Sequence, residues 1–477
     1  PNLEAKFVAA NTLIGLEKRE ANLFDSEAIK QKEKELKDAK HRIFGAKTVK
    51  TKRKYKERVA TLRTEIAGML KESGSIGNAE AQQLSAWDMF DQNATSPFFD
   101  PEGMFGVGDG FDVVIGNPPY GAKLSDTEKN LFRNIYSVKT SETAILFIEK
   151  GLNLINPFGV HTYIIPKAFT YASNYASIRD YVEPYITIIV DCGKAFEQVK
   201  LEACIILNSK SENTNKYRNL CYSNHRFIPN AEIAKDTKSL FGFYLNDVDE
   251  QCIQIGTKIM KDSTLLGVIA TNNRGDTFQD QLQVHGCYPV IGGKDISRYG
   301  IRSYKGYVNK RIYAEKALIK TNSLLFQNIV AHIITPSPHV KLIGCVPDKT
   351  DVYLLDTINQ ISINTKYSNK YIWCILNSKL ICWYVYVFIY GKAIRTMHFD
   401  SVSTDRIPVK LTINQSPFDS LVDKILAVKK ADPQADTSTL ENEIDLLVYH
   451  LYGLTYDEVQ IVDPDTPITR EEYEQEQ

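Results

Sequence analysis

The sequence predicts an α/β fold with an inserted helical hairpin, followed by a mixed α+β domain and a helical tail. Three observations lead there. Between residues 111 and 208, short apolar runs bounded by Gly and Pro alternate with amphipathic stripes, the pattern of strands and helices in turn. Between residues 26 and 73, fifteen Lys and Arg stand against seven Asp and Glu, a net +8, with apolar residues at helical spacing. From about Phe241 the composition shifts to short segments rich in Gly, Tyr and basic residues, and clear helical stripes close the chain. The expected boundaries are an α/β domain over 1–215, a linker over 216–240, a mixed domain over 241–412 and a tail over 413–477.

The elements follow in order. The segment from Phe7 to Leu16 opens with an apolar strand that ends in Asn11-Thr12, where a side chain and the next N–H could meet a ligand; a capped strand-to-helix turn is the plainer alternative. Ile29, Leu36 and Ile43 recur at seven, and Tyr55, Val59, Leu62, Ile66 and Met69 or Leu70 at three and four. Gly45 and the polar residues 47–51 lie between, so 26–73 reads as a basic helical hairpin. Such a charge run is usually a solvated face, and contact with a nucleic-acid backbone is its functional alternative. Gly106, Gly108 and Gly110 precede a strand instead of joining strand to helix, which excludes a phosphate loop. Phe111 to Gly116 reads as a buried parallel strand. Ala144, Phe147, Ile148, Gly151, Leu152 and Ile155 form a helical stripe. Strands are expected over 160–165, 185–191 and 203–208, with a helix over 175–182 between the first two. In the tail, Phe418, Leu421, Val422, Ile425 and Leu426 make one stripe, broken at Asp432-Pro433. Ser438 and Glu441 match a capping box before a second stripe, and Gly453 fits a helix stop.

Composition bounds the function. A chain of 477 residues should hold two or three domains. Lys and Arg total 57 against 58 Asp and Glu, so any nucleic-acid surface must be local. None of the eight cysteines is spaced C-x-x-C, which argues against a zinc ribbon and a disulfide framework and for a reducing cytoplasm. The eight histidines form no paired ligand set, and no metal site is expected. The apolar stretch from Tyr371 to Tyr390 is interrupted by Asn377, Ser378 and Lys379, so it reads as core, and no membrane partner is expected. The chain starts at Pro1, not Met, and is expected to be a fragment of a longer protein.

The most specific signal is Asn117-Pro118-Pro119-Tyr120, directly after the apolar run. Ligands of open α/β sheets bind at the carboxyl ends of strands. An exocyclic amine on a nucleobase is a poor nucleophile because its lone pair is delocalised into the ring. A side-chain amide oxygen and a backbone carbonyl that both accept from that amine draw the lone pair out of conjugation. Asn117 and the Pro118 carbonyl are the two acceptors. Consecutive prolines fix φ and remove competing donors. Tyr120 offers a ring on which an unstacked base can lie.

The strand and this tetrapeptide resemble motif IV of the N6-adenine DNA methyltransferases, which use S-adenosylmethionine. The resemblance implies a partial Rossmann-like methyltransferase sheet over 1–215. It implies catalytic roles for Asn117, Pro118, Pro119 and Tyr120. It makes Asn11 and Thr12 the turn that meets the cofactor adenine, with Asn11 standing where many members have Asp. Phe147 would pack on that adenine, and Phe196 would stack on the flipped base opposite Tyr120. The family's Gly-rich motif I and its acidic ribose ligand are not found, so the cofactor site is expected to be incomplete in this chain. The fragment alone is then expected neither to bind S-adenosylmethionine usefully nor to methylate DNA.

The second half resembles the target-recognition domain of TaqI-like methyltransferases and of type IIG restriction–modification enzymes, where one chain methylates and cuts DNA. Basic residues there interleave with aromatics, as in a groove for phosphates and bases. Lys294, Arg298, Arg302, Lys305, Arg311, Lys392 and Arg395 are the candidate contacts to double-stranded DNA. Two rivals stay open. One is a specificity fragment that binds DNA without catalysis. The other is a nuclease, faintly suggested by Asp191 with Glu197 and Lys200; any Mg²⁺ would otherwise serve a nuclease domain outside this chain.

Overall fold

The computed structural model describes residues 6–16, 23–91, 93–196, 201–212, 214–309, 315–335, 337–364, 366–394 and 397–475. It divides into two compact units. The first comprises Pro1–Ile164, Pro184–Ile186 and Leu207–Asn213, and the second Ile165–Glu183, Thr187–Ile206 and Thr214–Gln477.

In the first unit, α1 (Leu23–Phe44) and α2 (Val49–Glu72) form the expected hairpin. The heptad residues Ile29, Leu36 and Ile43 pack with Val59, Leu62, Ile66 and Leu70 in one core. Thr48 caps α2 by accepting from the Thr51 N–H at 3.1 Å. Two cross-hairpin ion pairs, Lys32–Glu65 at 2.8 Å and Arg58–Glu35 at 2.7 Å, neutralise part of the basic run. The short helices α3 (Asn78–Ala86) and α4 (Pro101–Phe105) follow. The segment over Phe7–Leu16 is not a strand. It makes single parallel bridges, Ala10 with Ser96 and Gly15 with Phe99, because its partner segment supplies no continuous ladder.

The strand β1 (Phe111–Gly116) leads through α5 (Asp126–Ile135) and α6 (Thr143–Leu154) to β2 (Ile155–Pro166). β1 and β2 pair in parallel, with Gly116 opposite Tyr163. β1 is not buried as expected: Val113 is 60% and Ile115 78% exposed. It stands at the end of the strand order and has β2 as its one neighbour, so its apolar run covers only one side.

The sheet continues through α7 (Ala176–Val182), β3 (Ile186–Asp191) and β4 (Ala203–Ser209), with spatial order β1-β2-β4-β3-β5-β6. Hydrogen bonds at both ends of β4, Cys192 N to Ala203 O and Ser209 N to Tyr185 O, make it antiparallel to β3. The 216–240 region is not a linker. β5 (Lys216–Ser223) and β6 (Arg226–Ala234) form a hairpin, and β5 pairs in parallel with β3. The positive φ values fall on Asn224 and His225, without the Gly that would have signalled the turn.

The rest of the second unit is mixed, as expected. The strands Gly344–Cys345, Ser323–Gln327, Ile358–Ile363 and Ala270–Arg274 form an antiparallel sheet. A smaller sheet joins Gly306–Val308, Tyr288–Ile291 and Tyr353–Leu354. The apolar stretch is a bent pair, Asn369–Asn377 and Lys379–Ile389, broken at Ser378 and almost wholly buried. Among the described residues no single helix is long and apolar enough to cross a membrane. The tail forms helices Ser416–Ala431 and Ser438–Leu451, and Gly453 has the expected positive φ. The capping box does not form. Thr437 precedes the helix, and Glu441 accepts instead from Thr437 Oγ1 and Tyr299 Oη and pairs with Arg298.

One buried group in the first unit sets a pH dependence. His161 on β2 is fully buried and accepts at Nδ1 from Asn208 Nδ2 at 2.9 Å, which puts the neutral ring's proton on Nε2. Burial pushes its pKa down to about 3. The native ring is therefore neutral, and the unfolded ring takes up a proton below its ordinary value of about 6.5. Stability from this group is fully present above that value and falls as pH drops toward 3. At pH 5 the loss is about 2 kcal/mol. Urea titrations at pH 7.5 and 5 should show it, and a His161→Gln variant should lack this component.

Candidate active site

The tetrapeptide follows β1 at its carboxyl end. Asn117 and Pro119 are exposed, Pro118 is buried and Tyr120 is half-buried. Gly116 is fixed by packing: a Cβ there would lie 2.9 Å from the Tyr163 ring. Two hydrogen bonds hold the turn within the first unit. The Tyr120 hydroxyl donates to Ile164 O at 2.7 Å, and the Thr143 hydroxyl donates to Pro119 O at 2.8 Å. The Asn117 amide has no hydrogen-bond partner among the described residues, and neither does the Pro118 carbonyl. Neither predicted acceptor is thus spent among the described residues, while the carbonyl after them is occupied.

Helix α6 extends the site. Thr143 stands at its first turn and Phe147 one turn later on the same face. Phe147 is half-buried on an otherwise buried stripe, and it packs with Leu13, Ile14 and Leu146. Leu13 and Ile14 follow directly on Asn11 and Thr12. Tyr136 holds this turn by donating to Leu13 O at 2.6 Å, and Asn11 N donates to Ser96 O at 2.9 Å. The loop before α6 is held by buried Glu149, which accepts from Ser137 N, Ser137 Oγ and Val138 N at 2.7–3.0 Å. Phe147 and Ile14 thus pack against the same small core, and Ile14 lies two residues along the chain from Thr12. Thr143, Tyr136 and Glu149 were not singled out from sequence; a polar residue on an apolar stripe was the available sign.

In the second unit, Phe196 is exposed beyond β3. Lys167, at the carboxyl end of β2, is buried and pairs with Asp191 Oδ2 at 2.6 Å. Burial opposes its charge, but Asp191 and Glu202 outweigh that and raise its pKa. Asp191 is therefore committed to a lysine. Glu197 and Lys200 lie outside the described residues, and among those described no group of His, Cys, Asp or Glu could hold a metal ion.

The candidate DNA contacts divide. Lys294, Arg302 and Lys305 are exposed, on segments joined by Arg302 N to Asp295 O at 2.7 Å and Ser303 Oγ to Asp295 Oδ1 at 2.6 Å. Lys349, missed from sequence, joins them by donating to Tyr304 Oη at 3.0 Å. Arg298 departs from expectation. It is mostly buried, pairs with Glu441 at 2.9 Å, donates to Asn377 O and lies over the Trp373 ring. Its charge is spent within the domain. Lys392 pairs with Asp247 at 3.3 Å. Arg311 and Arg395 lie outside the described residues.

Comparison with known proteins gives two family matches. Residues 4–196 match the Eco57I restriction-modification methylase family, and residues 288–409 match the TaqI-like C-terminal specificity domain. The type II methyltransferase M.VspI from Vibrio sp. (strain 343) is 26% identical over 200 residues, 40% of this chain and 48% of that protein. A putative type II restriction enzyme and methyltransferase, RM.MjaORFECS2P of Methanocaldococcus jannaschii, is 25% identical over 386 residues, 72% of this chain and 31% of that protein. The chain thus spans about half or less of these curated relatives. Among solved structures, the type IIL restriction-modification enzyme MmeI in complex with DNA aligns at 10% identity and a TM-score of 0.44, over 88% of this chain and 70% of that one.

Thr143→Val keeps the shape of the side chain and removes its donor to Pro119. One hydrogen bond of about 1 kcal/mol would be lost from the turn. In a methyl-transfer assay of the full-length protein the turnover should fall roughly five- to tenfold. DNA affinity in a parallel binding titration should stay unchanged, and an equal loss in both would place Thr143 in general packing instead.

Proposed function

We propose that this chain, which joins an Eco57I-type restriction-modification methylase region to a TaqI-like specificity domain, is the catalytic and recognition part of a sequence-specific adenine-N6 DNA methyltransferase. The observation that carries the reading is the geometry of Asn117 and Pro118. Two acceptors stand unpartnered at the carboxyl end of β1, on a turn pinned by Tyr120 and Thr143. Such a turn accepts two hydrogens from one amine and holds its lone pair out of the base's π system. S-adenosylmethionine, when bound, supplies the electrophilic methyl group. Asn11, Thr12 and Phe147 would meet its adenine.

In this reading the base leaves the duplex before reaction, because its amine cannot meet Asn117 inside the stack. Tyr120 offers one ring, tethered through its hydroxyl. Phe196 is the second ring expected from the family. Duplex DNA is the partner, held through exposed Lys294, Arg302, Lys305 and Lys349. Arg298 is withdrawn from that set. A cytoplasmic location agrees with eight free cysteines and no disulfide. A nuclease domain using Mg²⁺ would have to lie outside the described residues.

Two experiments test the reading in the full-length protein. Asn117→Ala should lower the methylation rate about 10²–10³-fold, the usual cost of one preorganised polar contact in a transition state. DNA affinity should change little, and a wild-type rate would refute the assignment. Charge removal at Lys294, Arg302 or Lys305 should weaken binding to all sequences. Each should lower the slope of log K against log salt by about one. Arg298→Ala should instead lower thermal stability and leave the salt slope in place.

A further inference from the structure

The second unit contains a buried charge cluster that the catalytic reading does not use. Lys167 lies between two carboxylates, Asp191 at 2.6 Å and Glu202 at 3.7 Å. These two acids flank the loop that carries Phe196. Each spends one oxygen toward Lys167 and the other elsewhere. Asp191 Oδ1 accepts from Gly193 N at 2.8 Å, at the loop's entry. Glu202 Oε2 accepts from Ile394 N at 2.7 Å, on a segment of the specificity domain 192 residues away. The backbone closes the loop between them, with Ala203 N donating to Gly193 O at 2.9 Å and Lys167 N to Glu202 O at 2.9 Å.

The segment Gly391–Ile394 meets the cluster a second time. Lys167 Nζ lies 3.5 Å from Lys392 O. Gly391 and Lys392 have φ of +53° and +55°, a left-handed bend that a lysine adopts at a cost. The Lys392 ammonium is held by Asp247 Oδ2 at 3.3 Å, a long and half-exposed pair. A phosphate can compete for such a pair. A shift of the Lys392 backbone would displace its own carbonyl and the Ile394 N–H, the two groups that Lys167 and Glu202 hold.

We propose that Lys167, Asp191 and Glu202 are positioning residues that couple the Gly391–Ile394 segment of the specificity domain to the loop carrying Phe196, so that DNA engagement at Lys392 sets the position of the base-stacking ring. The proposal rests on the methyltransferase reading for its purpose, but the coupling itself is a property of the folded chain. A buried ion pair of this kind contributes little net stability, because desolvation offsets its Coulombic gain, and its better-attested use is to fix one geometry.

The test is reciprocal hydrogen exchange on the full chain, without DNA. Glu202→Ala should speed exchange at Lys392–Ile394 about tenfold. Asp247→Asn, which weakens the Lys392 pair while making no hydrogen bond to Lys167, Asp191 or Glu202, should speed exchange at Gly193, Ala195 and Ala203 about tenfold. Exchange in the helices Ser416–Ala431 and Ser438–Leu451 should stay at the wild-type rate in both. Changes confined to the substituted segment would overturn the coupling, as would uniform acceleration across the unit. A second arm reads methylated adenine by single-molecule sequencing of host DNA from cells expressing the full-length protein. Asp247→Asn should lower methylation at the protein's own sites several-fold, and wild-type methylation despite altered loop exchange would overturn the functional half of the proposal. Absence of methylation by the wild type would refute the methyltransferase reading, while the exchange arm still decides the coupling.

Discussion

The parallel pairing of β1 with β2 is the constraint on which the Asn117–Tyr120 turn depends. It sets Gly116 against the Tyr163 ring and brings Ile164 O within reach of the Tyr120 hydroxyl. A turn of two prolines is stiff in φ but makes few backbone hydrogen bonds of its own. Its position must therefore come from outside, and it comes from a β2 carbonyl and from the Thr143 hydroxyl. Both bonds use groups other than the Asn117 amide and the Pro118 carbonyl. The arrangement holds the turn and spends neither acceptor among the described residues, as the proposed amine-binding role requires.

The same division recurs along α6. Its buried stripe fixes the helix, while polar Thr143 and Glu149 and half-buried Phe147 meet other segments. Thr143 meets the Asn117–Tyr120 turn, Phe147 packs against the core that includes Leu13, and Glu149 closes the loop before the helix. One helix thus ties three segments of the first unit together.

Much of this was legible in the sequence. Strand and helix order from Phe111 to Asn208, apart from the unexpected α5, follows from period-2 and period-3.6 patterns that the packing obeys. The hairpin heptads are the ones that meet in the core. What failed, failed for physical reasons. β1 reads as buried because its residues are apolar on both faces, but sequence cannot say how many neighbours a strand has. The β5–β6 hairpin was missed because Asn219 points inward to Leu245 O and Asn246, so a polar residue occupies a core position. The Ser438–Glu441 spacing matches a capping box locally, but distant Arg298 and Tyr299 recruit Glu441.

Arg298 carries the more general lesson about charge. Its neighbours in sequence, Lys294, Arg302 and Lys305, share its composition and its loop-rich context, and composition treats all four alike. The difference is burial. An arginine taken out of water must find a carboxylate or several acceptors, since an unpaired buried charge costs several kcal/mol. Glu441, Asn377 O and the Trp373 face answer that need, and Arg298 ties the tail helix to the bent core helix pair. The exposed lysines and arginine face no such demand, so they stay hydrated and can exchange bound counterions for phosphates. A net charge of −1 over the whole chain is therefore no obstacle to DNA binding. What matters is which cations the fold leaves unspent, and folding withdraws Arg298 while leaving Lys294, Arg302, Lys305 and Lys349 at the surface.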